Sequence, residues 1–257
     1  MVACHTPITP AVVGVLASVG AATVPVYRRP RVAILATGDE LVDVTERPGP
    51  GQIRNANGYA NAAQVLAAGG EPLQLPIARD TEADLRAQLQ AGLDWKTDLF
   101  LTSGGVSVGP HDLVRRVEAE LGVEEVFWRV AVKPGKPIAF GVRGRTLVFG
   151  LPGNPVSALV GFELFVRPAV LALQGAVEPL PRFLRAVLRG TRRRAPERDE
   201  LVRARLQVGD GGVEVEPLSG QESHMIARAA EADALVLVPR GDGELVDGSI
   251  VEYLPLA

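Results

Sequence analysis

The sequence predicts an α/β domain built as a three-layer sheet with helices on both faces, followed by a small all-β domain. Three observations predict it. From residue 31 to about residue 173, short apolar runs alternate with amphipathic stretches of helical period, as in parallel strands joined by helices. Beyond Pro179 and Pro181 the helical period vanishes. Short alternating strands take over there, punctuated by Gly209-Asp-Gly-Gly212, Arg240-Gly-Asp-Gly243 and Asp247-Gly248. The third observation is a hydrophobic content of 47% in 257 residues, enough for one large core or two modest ones. The expected divisions are an N-terminal helix and linker strand over 1–29, the α/β domain over 30–177 and the β domain over 178–257.

Thr9-Pro10 reads as a helix cap and first helical residue with Gly20 as the stop, so a short helix is expected over 10–19. Val24 to Tyr27 then reads as a linker strand before the break at Arg28-Arg29-Pro30. Val32–Ala36 is a buried strand, Asn57–Ala68 a helix ended by Gly69-Gly70, and Leu73–Ala78 the next strand. Glu82–Ala91 is a helix, Leu99–Thr102 a strand, Leu113–Leu121 a helix and Val126–Val132 a strand. Ile138–Gly141 and Thr146–Phe149 are strands around the polar turn Arg143-Gly-Arg145, and one long helix runs from about Asn154 to Leu173.

Charge and composition narrow the function classes. A net charge of −3 and a pI near 5.7 give no electrostatic footprint for nucleic acid, and Arg192 to Arg194 read as a solvated strand end. Cys4 is the one cysteine, which excludes an internal disulfide and fits a reducing, cytoplasmic compartment. The apolar stretch Ala11–Val26 lacks a basic region before it and contains glycines and a proline, so it reads as neither signal peptide nor membrane span.

Three short motifs carry the chemistry. Ser103-Gly-Gly-Val-Ser-Val-Gly109 follows an apolar strand and precedes a helical pattern. A glycine-rich turn there lets backbone N–H groups approach an anion beside a helix N-terminus. Lys133-Pro-Gly-Lys-Pro137 sets two ammonium groups on a proline-stiffened loop, in a chain whose only other lysine is Lys96 and whose remaining basic residues are arginine. Leu151-Pro-Gly-Asn-Pro-Val-Ser157 stands at a strand-to-helix junction, where Asn154 and Pro155 suit the cap and first helical positions and Ser157 falls in the first turn. Together they read as an oxyanion site.

In open α/β sheets, ligands bind beyond the carboxyl ends of the strands. The Asp39/Glu40 pair, Asp80 and Asp112 all fall there, beside the glycine-rich loop, a placement that suits Mg²⁺. The plain alternative is that Asp80 and Asp112 cap helices. Likewise Lys133 and Lys136 are otherwise two surface lysines, and Arg203 and His224 in the β domain are otherwise surface residues. Ser103 and Ser107 lack an evident histidine–acid partner, and the three histidines have no metal-ligand spacing. The implied chemistry is positioning and charge neutralisation of phosphate-like groups, assisted by a metal.

Ala36-Thr-Gly-Asp-Glu-Leu41, Ser103–Asp112, Lys133–Pro137 and Leu151–Ser157 together resemble the molybdopterin molybdenumtransferases, the family that includes the gephyrin E domain. The resemblance runs from about Ile8 to the C-terminus. The glycine-rich loop alone also resembles that of molybdopterin adenylyltransferases, and Pro-Gly-Asn-Pro with the appended β domain favours the molybdenumtransferases. The resemblance implies an enzyme of molybdenum cofactor biosynthesis that inserts molybdate into adenylylated molybdopterin and releases AMP with Mg²⁺ present.

Carried over by motif, Glu40, Asp80 and Asp112 are the Mg²⁺-linked acids and, with Lys133 and Lys136, the catalytic set. Ser103, Gly104, Gly105, Val106 and Ser107 hold the pterin nucleotide phosphates. Lys133, Lys136 and Ser157 bind molybdate, with Arg203 and Ser223 approaching from the β domain. Thr37, Gly38, Pro134, Gly135, Pro137, Pro152, Gly153, Asn154 and Pro155 complete the substrate-binding motifs.

The family carries two further N-terminal domains that support dimerisation, and this chain starts at the segment that follows them. Two other readings stay open: a non-catalytic pterin- or nucleotide-binding or scaffold fragment, and an adenylyltransferase. The partners implied are small-molecule substrates, a second copy of the chain, and a molybdopterin adenylyltransferase or recipient molybdoenzymes, with neither nucleic acid nor membrane among them.

Overall fold

The computed structural model describes residues 2–105, 113–209 and 211–256. A short helix, α1 (Pro10–Ser18), opens the chain, capped by the Thr9 hydroxyl, which accepts from the Val12 N–H at 3.3 Å. None of its residues is buried. The Val24–Tyr27 segment forms no strand: Pro25 and Pro30 remove donors, and no neighbouring strand pairs with it.

The first domain contains β1 (Arg31–Ala36), β2 (Leu41–Val42), β3 (Ile53–Arg54), α2 (Ala56–Ala67), β4 (Glu71–Gln74), α3 (Glu82–Asp94), β5 (Leu99–Ser103) and α4 (Leu113–Glu120). It continues with β6 (Glu124–Trp128), β7 (Val132–Lys133), β8 (Ala139–Arg143), β9 (Thr146–Leu151) and the helical run α5 (Pro155–Gly161), a π-turn (Phe162–Val166) and α6 (Arg167–Leu173). The main sheet has the order β4-β1-β5-β9-β8-β6, parallel through β9 and antiparallel at β8 and β6.

Strand alternation explains the three layers. On β1, Val32 and Ile34 face the cluster that α2, α5 and α6 cover with Val65, Ala158, Phe162, Val166 and Val170. Ala33 and Leu35 face the opposite cluster, covered by Leu85 and Leu89 of α3 and Val114 and Val117 of α4.

Two expected elements end differently, each because of a proline. β4 stops at Gln74 rather than reaching Ala78, since Pro76 has no N–H to continue the ladder; pairing resumes only at the single bridge between Ala78 and Thr37. The expected long helix is interrupted by the π-turn. Pro168 cannot donate to the carbonyl four residues back, and the Arg167 N–H bonds instead to the Phe162 carbonyl, five residues back. This run, Pro155–Leu173, is long and apolar enough to cross a membrane by length and composition, and half of it is buried within the protein.

The second domain holds β10 (Leu184–Leu188), β11 (Arg192–Arg193), β12 (Asp199–Gly209), β13 (Gly212–Pro217), a one-turn α7 (Ile226–Ala229), β14 (Ala234–Val238), β15 (Glu244–Leu245) and β16 (Ile250–Pro255). The ring β13-β10-β16-β14-β12 closes through β12–β13 pairing, so it is a five-stranded barrel. Leu188, Val202, Val215, Val236 and Tyr253 contribute to its interior.

The two domains share more than a linker. β7, which precedes the lysine loop, leaves the first domain and pairs in parallel with the start of β12, Val132 opposite Asp199 and Lys133 opposite Glu200. A separate apolar cluster joins Val156 and Val160 of α5 to Leu201, Leu235 and Leu254 of the barrel. Each such buried aliphatic side chain contributes about 1.5–3 kcal/mol, so this cluster helps hold the two domains together.

Candidate functional site

The crossover from β1 to β4 runs to one side of β1, and β5 lies on the other, which makes the carboxyl ends of β1 and β5 the switch point of the sheet. Thr37 and Gly38 leave β1 there, and Ser103, Gly104 and Gly105 leave β5. The Thr37 N–H donates to the Ser103 carbonyl at 3.0 Å, and the Gly104 N–H to the Leu151 carbonyl at 3.2 Å, so three strand ends are laced together. Gly104 has φ +93°, and a Cβ on it would lie 2.5 Å from the Thr37 carbonyl oxygen, so only glycine allows this approach. The Thr37 hydroxyl is buried without a hydrogen-bond partner among the described residues, and it faces the positions that side chains on Gly104 and Gly105 would fill. A buried donor left open beside a glycine cradle suits a ligand oxygen. Val106, Ser107 and Asp112 lie outside the described residues.

The acids assemble at the same edge. The Asp80 N–H donates to the Asp39 carboxylate at 3.1 Å, and the Arg79 guanidinium fixes the loop by donating to the carbonyls of Asp39 and Leu41, both at 3.2 Å. Thr81, not Asp80, caps α3. Partial desolvation in the loop raises the Asp80 carboxyl above the ordinary aspartate range; a hydrogen bond from the Asp39 backbone opposes this, and the charges of Asp39 and Glu40 reinforce it. Among the described residues, no three His, Cys, Asp or Glu side chains converge closely enough to hold a metal by themselves.

The lysine loop builds a second, adjoining site. A cleft of about 390 Å³ between the domains is lined by Lys133, Pro134, Gly135, Lys136 and Ser157 from the first domain. Arg198, Glu200, Leu201, Gln221, Glu222 and Ser223 line it from the second. The Val130 N–H donates to the Lys136 carbonyl at 3.0 Å and the Arg129 N–H to the Ile138 carbonyl at 2.9 Å, so the loop is the tip of a hairpin extending β6 and β8. Across the cleft, the Val156 N–H donates to the Ser223 carbonyl at 3.0 Å, which fixes the 221–223 loop against the first turn of α5. Asn154 and Pro155 take the cap and first helical positions, but the Asn154 side chain makes no capping hydrogen bond.

The segment 151–157 joins both sites. A Cβ on Gly153 would lie 3.7 Å from the Gly104 Cα, and the Gly153 carbonyl accepts from Asn57 Nδ2 at 2.8 Å. Four residues later, buried Ser157 lines the cation cleft. Pro137 follows Lys136 in the loop, and Pro152 is buried behind the turn.

Arg203 is not in the cleft lining. It is 1% exposed, and its guanidinium donates to the carbonyls of Met225 at 2.8 Å, Gly220 at 2.7 Å and Glu222 at 3.2 Å. It shapes the loop that carries Ser223 rather than facing a ligand. Burial pulls the guanidinium below its ordinary value, partly countered by Glu222. The residues that sequence reasoning missed are Arg198, Glu200 and Asn57. Arg198 is half-buried in the lining, where Glu200 pairs with Lys133.

Comparison with known proteins decides the family. Residues 33–172 match the model of the probable molybdopterin binding domain, and residues 182–256 match the MoeA C-terminal region (domain IV). The chain belongs to the molybdopterin-binding domain family and carries a MoeA-type C-terminal region. It is 34% identical over 249 residues to the molybdopterin molybdenumtransferase of Bacillus subtilis (strain 168), covering 97% of this chain and 58% of that one. It is 34% identical over 250 residues to the one of Haemophilus influenzae, covering 96% and 61%. The chain therefore spans about three fifths of the length of these relatives.

Among solved structures, the molybdopterin biosynthesis moeA protein of Pyrococcus horikosii superposes with a TM-score of 0.83 at 30% identity, covering 98% of this chain and 60% of that one. A molybdenum cofactor biosynthesis protein of Pyrococcus furiosus gives a TM-score of 0.73 at 25% identity, covering 97% and 76%. The two matched regions account for the α/β domain with an appended barrel.

Proposed function

We propose that the chain binds an adenylylated molybdopterin at the switch point and molybdate in the cation cleft, and that it inserts molybdate into the pterin with release of AMP. The observation that carries this is segment 151–157, which touches the glycine loop at Gly153 and lines the cation cleft at Ser157. A pterin nucleotide held at one end and a tetrahedral dianion at the other are then reactants on a single rigid turn, which lowers the entropy of bringing them together.

In this reading the Thr37 hydroxyl and the Ser103–Gly105 turn hold substrate phosphate, together with Val106 and Ser107. Lys133, Lys136 and Arg198 neutralise molybdate while Ser157 and Ser223 offer hydroxyls. Pro134 and Pro137 keep the loop stiff, so less entropy is lost on docking. Arg203 acts at a distance, by holding the Ser223 loop.

Mg²⁺ keeps several waters and takes one or two carboxylates together with substrate phosphate, so a site whose described residues supply no three converging ligands still suits it. Glu40, Asp80 and Asp112 would hold it, with Asp39 beside them, and it would supply neutralisation of phosphate charge. The Asp80 carboxyl is raised chiefly by partial desolvation, with a smaller contribution from the charges of Asp39 and Glu40 that a cation would relieve.

The test is Mg²⁺-dependent AMP release from adenylylated molybdopterin with and without molybdate. Molybdate-stimulated release supports the reading. Because the chain spans 58% of the Bacillus subtilis relative, a binding module is the second reading, and saturable binding of the pterin nucleotide without release would favour it.

A further inference from the structure

The cation cleft contains a carboxylate where an oxyanion is expected to dock. Glu200 Oε1 lies 3.1 Å from Lys133 Nζ, and the Glu200 side chain is 18% exposed against 50% for Lys133. The pair is fixed by backbone register, since Lys133 and Glu200 are direct partners in the parallel β7–β12 ladder. Glu200 is also held from the other edge of β12, where it pairs with Val238 of β14. The acid is therefore anchored inside the barrel sheet, while the ammonium sits at the end of a flexible stem with half its surface in solvent. Any oxyanion that reaches Lys133 must compete with Glu200 for the same ammonium.

We infer that Glu200 is an internal counter-anion of the cleft, which competes with the incoming oxyanion for Lys133 and so sets how tightly the cleft holds it. The inference rests on the proposed anion cleft. Without ligand, Glu200 keeps Lys133 oriented across the domain seam and neutralises it. When an oxyanion enters, the ammonium is shared or handed over, and the nearby carboxylate repels the anion in proportion to the anion's charge. A substrate that must be given up to a second reactant benefits from such a competitor, because tight binding shared by ground and transition states does not speed turnover. Glu222 also lines the cleft, but it is exposed and its backbone carbonyl is the part engaged by Arg203, so its charge is the better screened of the two.

The test is titration calorimetry of the full chain, the Glu200→Gln variant and the Glu222→Gln variant with two tetrahedral oxyanions of different charge, molybdate and perrhenate. A thermal melt of each variant confirms folding. Glu200→Gln is expected to bind molybdate on the order of tenfold tighter than the unchanged chain, with a smaller gain, roughly threefold, for the monoanion perrhenate. Adding Lys133→Gln to Glu200→Gln is expected to abolish that gain. Glu222→Gln is expected to change both affinities by less than about twofold.

Scaling of the gain with ligand charge separates a competitor from a strut that merely positions Lys133. Removing a strut would weaken both anions together. Equal or weaker molybdate binding by a folded Glu200→Gln chain overturns the inference and leaves the anion cleft intact. Absence of molybdate binding in both chains overturns the cleft, and the inference with it. Should Glu200→Gln fail to fold, Glu200→Asp retains the charge on a shorter stem that cannot reach Lys133 as closely. Gains for molybdate and perrhenate of equal size in that variant would again overturn the inference.

Discussion

Val156 donates its backbone N–H to the carbonyl of Ser223, and this 3.0 Å bond ties the first turn of the helix after the Pro-Gly-Asn-Pro motif to a loop of the barrel domain. The same loop is gripped from behind by Arg203, whose guanidinium reaches the carbonyls of Gly220, Glu222 and Met225, and by Gln221, whose amide donates to the carbonyls of Arg203 and Leu218. The barrel thus presents Ser223 on a loop whose backbone is largely satisfied before any ligand arrives.

Arg203→Ala is therefore expected to damage stability first and binding second. It removes the donors to three loop carbonyls and leaves a cavity where the buried guanidinium stood, which should cost about 3–5 kcal/mol. Arg203→Lys should recover little, because a single ammonium cannot span the three acceptors that the planar fork reaches. Urea melts of the three chains check this. A variant as stable as the unchanged chain would mean that the loop is held by other contacts.

Gly104→Ala tests the switch point. At φ +93°, with the new methyl 2.5 Å from the Thr37 carbonyl, alanine must push the β5 turn away from the end of β1. A destabilisation of about 2 kcal/mol or more is expected, with loss of pterin nucleotide binding measured by calorimetry. Gly144, where a Cβ meets nothing within 4 Å but φ is +59°, separates the two effects: Gly144→Ala should show the conformational penalty alone and bind normally.

The switch point was legible in the sequence because its causes are local. Apolar runs, the glycine pair and the acids each announce a strand end, and Asn154-Pro155 announces a helix start. What was not legible depends on partners far along the chain. A two-residue strand at Val132–Lys133 has no pattern of its own, and its partner lies beyond residue 198. Arg198 and Glu200 consequently carried no signal in the sequence, although they line the cleft. Arg203 failed in the opposite direction. An arginine in a short alternating strand looks solvent-facing, and only the folded loop shows its guanidinium surrounded by carbonyls. The proline effects at Pro76 and Pro168 could have been read locally, since each removes one identifiable donor.

The cleft cations give a prediction about binding without a stability penalty. Lys136 is exposed, so Lys136→Ala should leave the melt within about 0.5 kcal/mol while weakening molybdate roughly tenfold. Arg198→Ala should behave similarly, and the double variant should lose more than either alone, since both line one cleft. Full retention of molybdate affinity in the double variant would remove these two residues from the site.

Asp80 makes a prediction about pH. Its carboxyl is raised in the folded chain, by partial desolvation first and by the charges of Asp39 and Glu40 in addition. The native state then holds a proton more tightly than the unfolded chain does, so stability falls as pH rises from the unfolded value through the raised folded one. Above that window the ionised Asp80 is a net cost to the fold. Asp80→Asn is expected to melt at a higher temperature than the unchanged chain at pH 7, and the gap should close as pH falls below about 3, where the carboxylate is largely protonated in both states. Mg²⁺ offers an independent reading of the same crowding. Millimolar Mg²⁺ should raise the melting temperature of the unchanged chain at pH 7, and should raise that of Asp80→Asn by less, because the neutral amide removes one of the charges a cation relieves. An Asp80→Asn chain that melts lower than the unchanged chain at pH 7 would show that the carboxylate is held by contacts that outweigh the repulsion.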